Sequence, residues 1–224
     1  MKTVYCAGRK YASGKIICVG KNYAEHISEM GGGDERPAEP TIFLKPNSAI
    51  ADAGEAVFLP VELGLLHHEV ELCFVVSKDG KKIPLNEAPS FIAGWGVGID
   101  FTLRDMQARA KKAQGPWALA KGFDNSAVFG EFAPAGELAD PCNLSISLSI
   151  DGKVRQRGST RDMIFSPAAV LSYVSRFMTV EEGDVFMMGT PAGVGEVKHG
   201  DVLTAGIEGL PELKFAVLRH RAAC

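Results

Sequence analysis

Glu69 and Glu71 stand two residues apart in His67-His68-Glu69-Val70-Glu71-Leu72-Cys73-Phe74-Val75-Val76, a spacing that can do chemistry. Alternation along a strand puts Val70, Leu72, Phe74 and Val76 on a core face and both glutamates on the other. Side chains two apart on a strand stand roughly 7 Å from each other, so two carboxylates can converge on one cation. Two charges left unpaired in so apolar a strand would be costly, and a hard divalent ion removes that cost. Alternatively, the face is outward and each glutamate pairs with a Lys or Arg. Oxygen donors favour Mg²⁺ or Mn²⁺, while the lack of HExxH or a Cys cluster disfavours zinc.

A third carboxylate, Asp100, closes a segment in which Gly94, Gly96 and Gly98 share one face and Ala93, Trp95, Val97 and Ile99 the other. Glycine within a strand forfeits packing, so the bare face is expected to be a pocket floor that ends in Asp100. Its GxGxG spacing, with no helix opening inside it, is not a dinucleotide fingerprint, and no GxxxxGK[ST] occurs. Thr102 and Asp105 have capping-box spacing, which predicts a helix starting just after Asp100. Arg104 and Gln107, one turn apart, face that pocket or lie on a solvated side. Lys121 lies between apolar residues and glycine, and Lys45 follows the run Thr41–Leu44; each is a site cation or a plain surface lysine. The turn Gly189-Thr190-Pro191-Ala192-Gly193-Val194-Gly195 can aim backbone N–H groups and the Thr190 hydroxyl at a carboxylate, or simply be tight. His26 and Glu29, at i and i+3, form either an oriented general base or an exposed pair. Gly31–Gly33 ends their helix and marks it as a candidate lid.

Short apolar runs between Gly and Pro predict the strands that hold these residues: Lys15–Val19, Thr41–Leu44, Val70–Val76, Phe91–Ile99, Leu144–Ile150, Val185–Met188 and Lys214–Leu218. Helical patterns cover Tyr23–Met30, Thr102–Ala113 and Pro167–Phe177. Asp151-Gly152 predicts a hairpin with a type I′ turn across Leu144–Gln156. The expected class is strand-rich α+β, a single domain over residues 1–224, since no repeat or composition shift divides the chain. A net charge of −3, with 24 scattered Lys and Arg, argues against a nucleic-acid partner. Cys6, Cys18, Cys73, Cys142 and Cys224 form no CxxC pair and are expected to be reduced thiols of a cytoplasmic protein. Neither a signal peptide nor an apolar run of bilayer length is visible, so no membrane association is expected.

In chain order, Val19-Gly20-Lys21-Asn22-Tyr23, His68-Glu69-Val70-Glu71-Leu72, Gly98-Ile99-Asp100, Arg104-Asp105, Lys121-Gly122-Phe123-Asp124, Met163-Ile164-Phe165 and Gly189-Thr190-Pro191-Ala192-Gly193-Val194 resemble the fumarylacetoacetate hydrolase family, especially its compact acylpyruvase-like branch. The resemblance spans nearly the whole chain. It implies a mixed β-sandwich roll, a homodimer, and Mg²⁺ or Mn²⁺ held by Glu69, Glu71 and Asp100. It also implies that Arg104, Gln107, Lys121 and Thr190 contact substrate or stabilise charge, and that His26 with Glu29 is a lid dyad that activates water. Lys21 and Lys45 join the substrate-binding set; Lys21 stands where related sequences often carry Arg, which leaves the distal carboxylate preference open. The expected reaction is metal-dependent hydrolysis of a C–C bond in an acylpyruvate, a small 2-oxo acid, with Lys121 and Gln107 steadying the oxyanion. Oxaloacetate decarboxylation or keto–enol tautomerisation, and isomerisation of the 2-hydroxyhepta-2,4-diene-1,7-dioate type, are the implied alternatives. A non-catalytic metal-stabilised module would leave His26, Lys121 and Gln107 unexplained. The chain lacks the N-terminal domain of larger fumarylacetoacetases, so a substrate shorter than fumarylacetoacetate is expected.

Overall fold

Apolar runs too short for helices pair into two large sheets. The computed structural model describes residues 2–31, 36–52, 54, 56–60 and 64–220. One sheet has seven strands, in the order Ala127–Phe129, Ile92–Asp100, Val70–Val76, Val185–Met187, Ile16–Gly20 and Thr41–Lys45, with Ala133–Pro134 also pairing to Ile92–Asp100. Only the Val185–Met187 and Ile16–Gly20 pair is parallel within it. The second has five strands, Lys153–Ser159, Ser145–Ile150, Val202–Ile207, Leu213–His220 and Ala56–Pro60. Asp151 and Gly152, with φ of 50° and 75°, make the left-handed pair that a type I′ hairpin requires between its first two strands. A three-stranded sheet of Gly195–Glu196, Leu66–His68 and Thr102–Leu103 completes the wall beside the carboxylates.

The strand Val70–Val76 is buried on both faces. Leu72, Phe74 and Val76 enter the main core with Ile146, Leu148 and Phe215 of the second sheet, and Phe74 stacks on Phe186 at 4.5 Å. Each such side chain contributes about 1.5–3 kcal/mol on burial. The opposite face carries Cys73 and Val75 into a second core with Cys18, Phe129, Phe132 and Met187. The glutamates are therefore not on an outward face: the second core continues the strand's other side.

Four helices, Ala24–Glu29, Arg104–Lys112, Ala118–Lys121 and Pro167–Phe177, are present among the described residues, giving the strand-rich α+β class. Pro167–Phe177 has Pro at its entrance and Ser166 Oγ accepting from Ala169 N at 3.3 Å. Two expectations change. Thr102 and Leu103 pair as a strand with Leu66 and His67, so the helix starts at Arg104 without a capping box. The Gly94, Gly96 and Gly98 face is no pocket floor: added Cβ atoms would lie 2.4 Å from Cys6 Sγ, 2.9 Å from the Phe132 ring and 2.5 Å from Cys73 Sγ, respectively. The bare face admits the second core, and Asp100 alone reaches beyond it. Of Gly31–Gly33, expected as the end of a candidate lid, only Gly31, at φ 74°, is among the described residues; Gly32 and Gly33 lie outside them, as does Cys224.

Candidate active site

Antiparallel register brings the three carboxylates together. Glu71 pairs with Gly98 and Val70 with Ile99, and Asp100 N donates to Glu69 O at 2.9 Å. The end of the glycine strand thus lies against the start of the glutamate strand. One oxygen from each of Glu69, Glu71 and Asp100 falls within 4.8 Å of the others. All three residues are buried.

Three cations surround two of these carboxylates, Glu69 and Asp100. Lys121 Nζ is 2.6 Å from Glu69 Oε2, from Asp100 Oδ2 and from Thr102 Oγ1, so the hydroxyl expected in a helix cap serves the site instead. Arg104 donates through Nη2 to Glu69 Oε1, through Nη1 to Gln107 Oε1 at 2.7 Å and through Nε to His67 Nδ1 at 3.2 Å. Lys45 Nζ lies 2.8 Å from Asp100 Oδ1. Its hydrogens are directed elsewhere, to the carbonyls of Lys121 and Ser126 and to Ser126 Oγ. Asp100 Oδ1, although charge-compensated, accepts no hydrogen bond.

Burial works against the charge on Glu69, but Lys121 and Arg104 outweigh it and hold that carboxyl far below the usual range. Glu71 has no such partner. Burial and then the neighbouring Asp100 charge push its carboxyl well up, against the more distant charge of Lys121 and one Gly189 N–H donated to Oε2 at 2.6 Å. Burial disfavours charge on Lys121 as well, yet Asp100 and Glu69 keep its ammonium protonated well above the ordinary range.

The carboxylates line a cavity of about 330 Å³. Arg104, Gln107 and Lys111 from one helix, Phe43 and Trp117, and Gly189 with Thr190 form its walls, and Lys21, His26, Ile27 and Met30 lie on the side of the helix Ala24–Glu29. His26 Nδ1 meets Glu29 Oε2 at 3.3 Å, while Glu29 Oε1 accepts from Gly193 N at 3.0 Å. One carboxylate therefore orients the imidazole and ties the helix to the Gly189–Gly195 turn. Burial lowers the His26 pKa more than Glu69 and Glu29 raise it, so the ring stays neutral. The turn does aim N–H groups at carboxylates, but at those of Glu71 and Glu29.

Of the expected substrate contacts, Lys21, Arg104, Gln107, Lys121 and Thr190 line the cavity. Lys45 does not: it is fully buried, lies outside this cavity's lining and stands against Asp100 as its counter-charge. Sequence reasoning passed over His67, Lys111, Trp117 and Gln156. Gln156 is buried on an otherwise exposed strand, a position that residue pattern alone does not reveal.

Three buried carboxylates that converge as an all-oxygen donor set fit a hard divalent cation such as Mg²⁺ or Mn²⁺. Residues 15–218 match the family model described as fumarylacetoacetate (FAA) hydrolase C-terminal. The mitochondrial oxaloacetate tautomerase FAHD1 of Arabidopsis thaliana is 45% identical over 206 residues, 92% of each chain. Oxaloacetate tautomerase YcgM of Escherichia coli is 44% identical over 200 residues, 89% of this chain and 90% of its own. Among solved structures, fumarylpyruvate hydrolase from Pseudomonas aeruginosa in complex with Mn²⁺ and pyruvate superposes with a TM-score of 0.91 at 36% identity, over 98% of this chain and 96% of that one. The expected cytoplasmic location meets a relative described as mitochondrial; no described helix is long and apolar enough to cross a membrane.

Proposed function

The chain belongs to the fumarylacetoacetate hydrolase family, and on that premise we propose that it catalyses metal-dependent enolisation of a 2-oxo dicarboxylic acid, foremost the keto–enol tautomerisation of oxaloacetate. The observation that carries this is the buried Glu69, Glu71 and Asp100 cluster in a cavity whose other charged walls, Lys21, Arg104, Lys111 and Lys121, are all cationic. Such a cavity suits a small dianion.

Mg²⁺ or Mn²⁺ held by the three carboxylates would supply Lewis acidity toward the carboxylate and 2-oxo oxygens of the substrate. Lys121, protonated and immobilised by three acceptors, steadies negative charge on an adjacent oxygen. His26 is neutral, and with Nδ1 engaged by Glu29 its free Nε2 is the basic nitrogen that moves a proton on and off C3. Lys21 and Lys111 at the wall attract the second carboxylate. The hydrogen bond from Gly193 N to Glu29 would hold this helix over these groups and limit the access of water.

Hydrolysis of an acylpyruvate, placed first by sequence reasoning, is the second possibility, favoured by the same His26–Glu29 pair because its free Nε2 can activate water. The names of the curated relatives move tautomerisation ahead of it. Residues 1–224 act in this scheme as one catalytic domain in a homodimer. The test is a substrate panel with Mg²⁺ or Mn²⁺ that follows enol absorbance and CO₂ from oxaloacetate and pyruvate from acylpyruvates. Metal-dependent loss of enol absorbance should dominate; dominant pyruvate release would reverse the order, and activity that survives EDTA would refute both.

A further inference from the structure

Lys153–Ser159 is a surface strand in every respect but one: Lys153, Val154, Arg155 and Arg157 are exposed, and Gln156 is 1% exposed. Both ends of its carboxamide are fully used. Oε1 accepts from Val70 N at 3.1 Å and meets His68 Nδ1 at 2.9 Å. Nε2 donates to Thr190 Oγ1 at 2.8 Å and to Pro191 O at 2.9 Å.

The orientation of this amide follows from its backbone partners alone. Val70 N–H can only donate, so the atom facing it is the amide oxygen; Pro191 O can only accept, so the atom facing it is the amide nitrogen. A carboxamide nitrogen donates and does not accept, so Thr190 Oγ1 must take a hydrogen from Gln156. The hydrogen of the Thr190 hydroxyl then has no acceptor among the described residues, and Thr190 lines the cavity. By the same logic, the hydrogen between His68 and Gln156 sits on His68 Nδ1.

We propose that Gln156 is a positioning residue that fixes Thr190 as a hydrogen-bond donor to a carboxylate oxygen of the bound 2-oxo acid. This assignment rests on the cavity being the substrate site. The same side chain holds Val70 N–H, in the peptide between the two glutamates, so one amide sets the turn and the metal-ligand strand relative to each other.

Gln156→Glu keeps size and an acceptor for Val70 but turns the donor into an acceptor, so the Thr190 hydrogen is drawn back to residue 156. Oxalate binding with Mg²⁺, measured by calorimetry, should weaken about ten-fold in Gln156→Glu and about ten-fold in Thr190→Val, as loss of one charge-assisted hydrogen bond implies. KM for oxaloacetate should rise more than kcat falls. The double variant should bind no more weakly than Thr190→Val alone, because both changes remove one interaction. Additive losses, or wild-type affinity in Gln156→Glu, would overturn the proposal. A second measurement needs no variant: ¹⁵N spectra of wild-type His68 at alkaline pH should show the Nδ1–H tautomer, and the Nε2–H tautomer would overturn the amide orientation. The wider functional scheme fails differently, by wild-type protein binding no oxalate at any Mg²⁺ concentration while His68 keeps Nδ1–H; that result would also remove the carboxylate as the acceptor for Thr190.

Discussion

Lys121 is bound so closely to Glu69, Asp100 and Thr102 that its charge is structural before it is catalytic. Lys121→Met removes that charge at similar length and leaves three buried carboxyl groups with only Arg104, on Glu69, and Lys45, on Asp100, as counter-charges. The metal-free variant should lose about 3–5 kcal/mol by denaturant unfolding, and Mn²⁺ should restore more stability to it than to the wild type. Equal metal stabilisation of the two proteins would show that ion and ammonium do not share a task. His26→Ala should lower oxaloacetate tautomerisation by roughly two to four orders of magnitude, since its Nε2 is the base that moves the C3 proton, and any acylpyruvate cleavage with it. Unchanged tautomerisation would remove His26 from the mechanism. Burial lowers the His26 pKa, so the base persists in acid, and the acid limb of kcat/KM should lie below the ordinary imidazole value of about 6.5.

Elements show where sequence was legible and where it was not. A short apolar run identified Val70–Val76 with the bounds the structure gives, because both faces of the strand are buried in apolar cores, and alternation set Glu71 on the face away from Leu72 and Phe74. The same alternation picked out the bare face of Ile92–Asp100 but not what fills it: Cys6, Phe129 and Phe132 come from segments whose partners are distant in sequence. Gln156 went unread for a related reason, since its burial depends on Val70 and Thr190, neither of them near it in the chain. The glycine strand also supplies a test. Gly96→Ala should cost about 1–3 kcal/mol of stability, because its Cβ would press on the Phe132 ring at 2.9 Å, while metal affinity stays as in the wild type. A selective loss of metal binding would mean that this face belongs to the pocket after all.

For the molecule as a whole, the metal site and the fold are one equilibrium. Burial and Asp100 push the Glu71 pKa up, so the metal-free protein holds a proton on this carboxyl to higher pH than on an ordinary glutamate, and a cation competes with that proton. Free metal at 100 times its Kd should add about 2.7 kcal/mol, or roughly 5–10 °C in Tm. That increment should shrink as pH falls, because protonated Glu71 must first be emptied; an increment independent of pH would place Glu71 outside the ligand set. The order of strands in the large sheet has a further consequence. Lys45 lies on Thr41–Lys45, which pairs with Ile16–Gly20, which in turn joins the glutamate strand only through Val185–Met187. On the ribosome, a nascent chain can bring Glu71 and Asp100 together as a simple antiparallel pair early in its synthesis. The sheet path that carries Lys45 to Asp100 closes only after the codons for Val185–Met187 have been translated and that segment has cleared the exit tunnel, well after both carboxylates are in place.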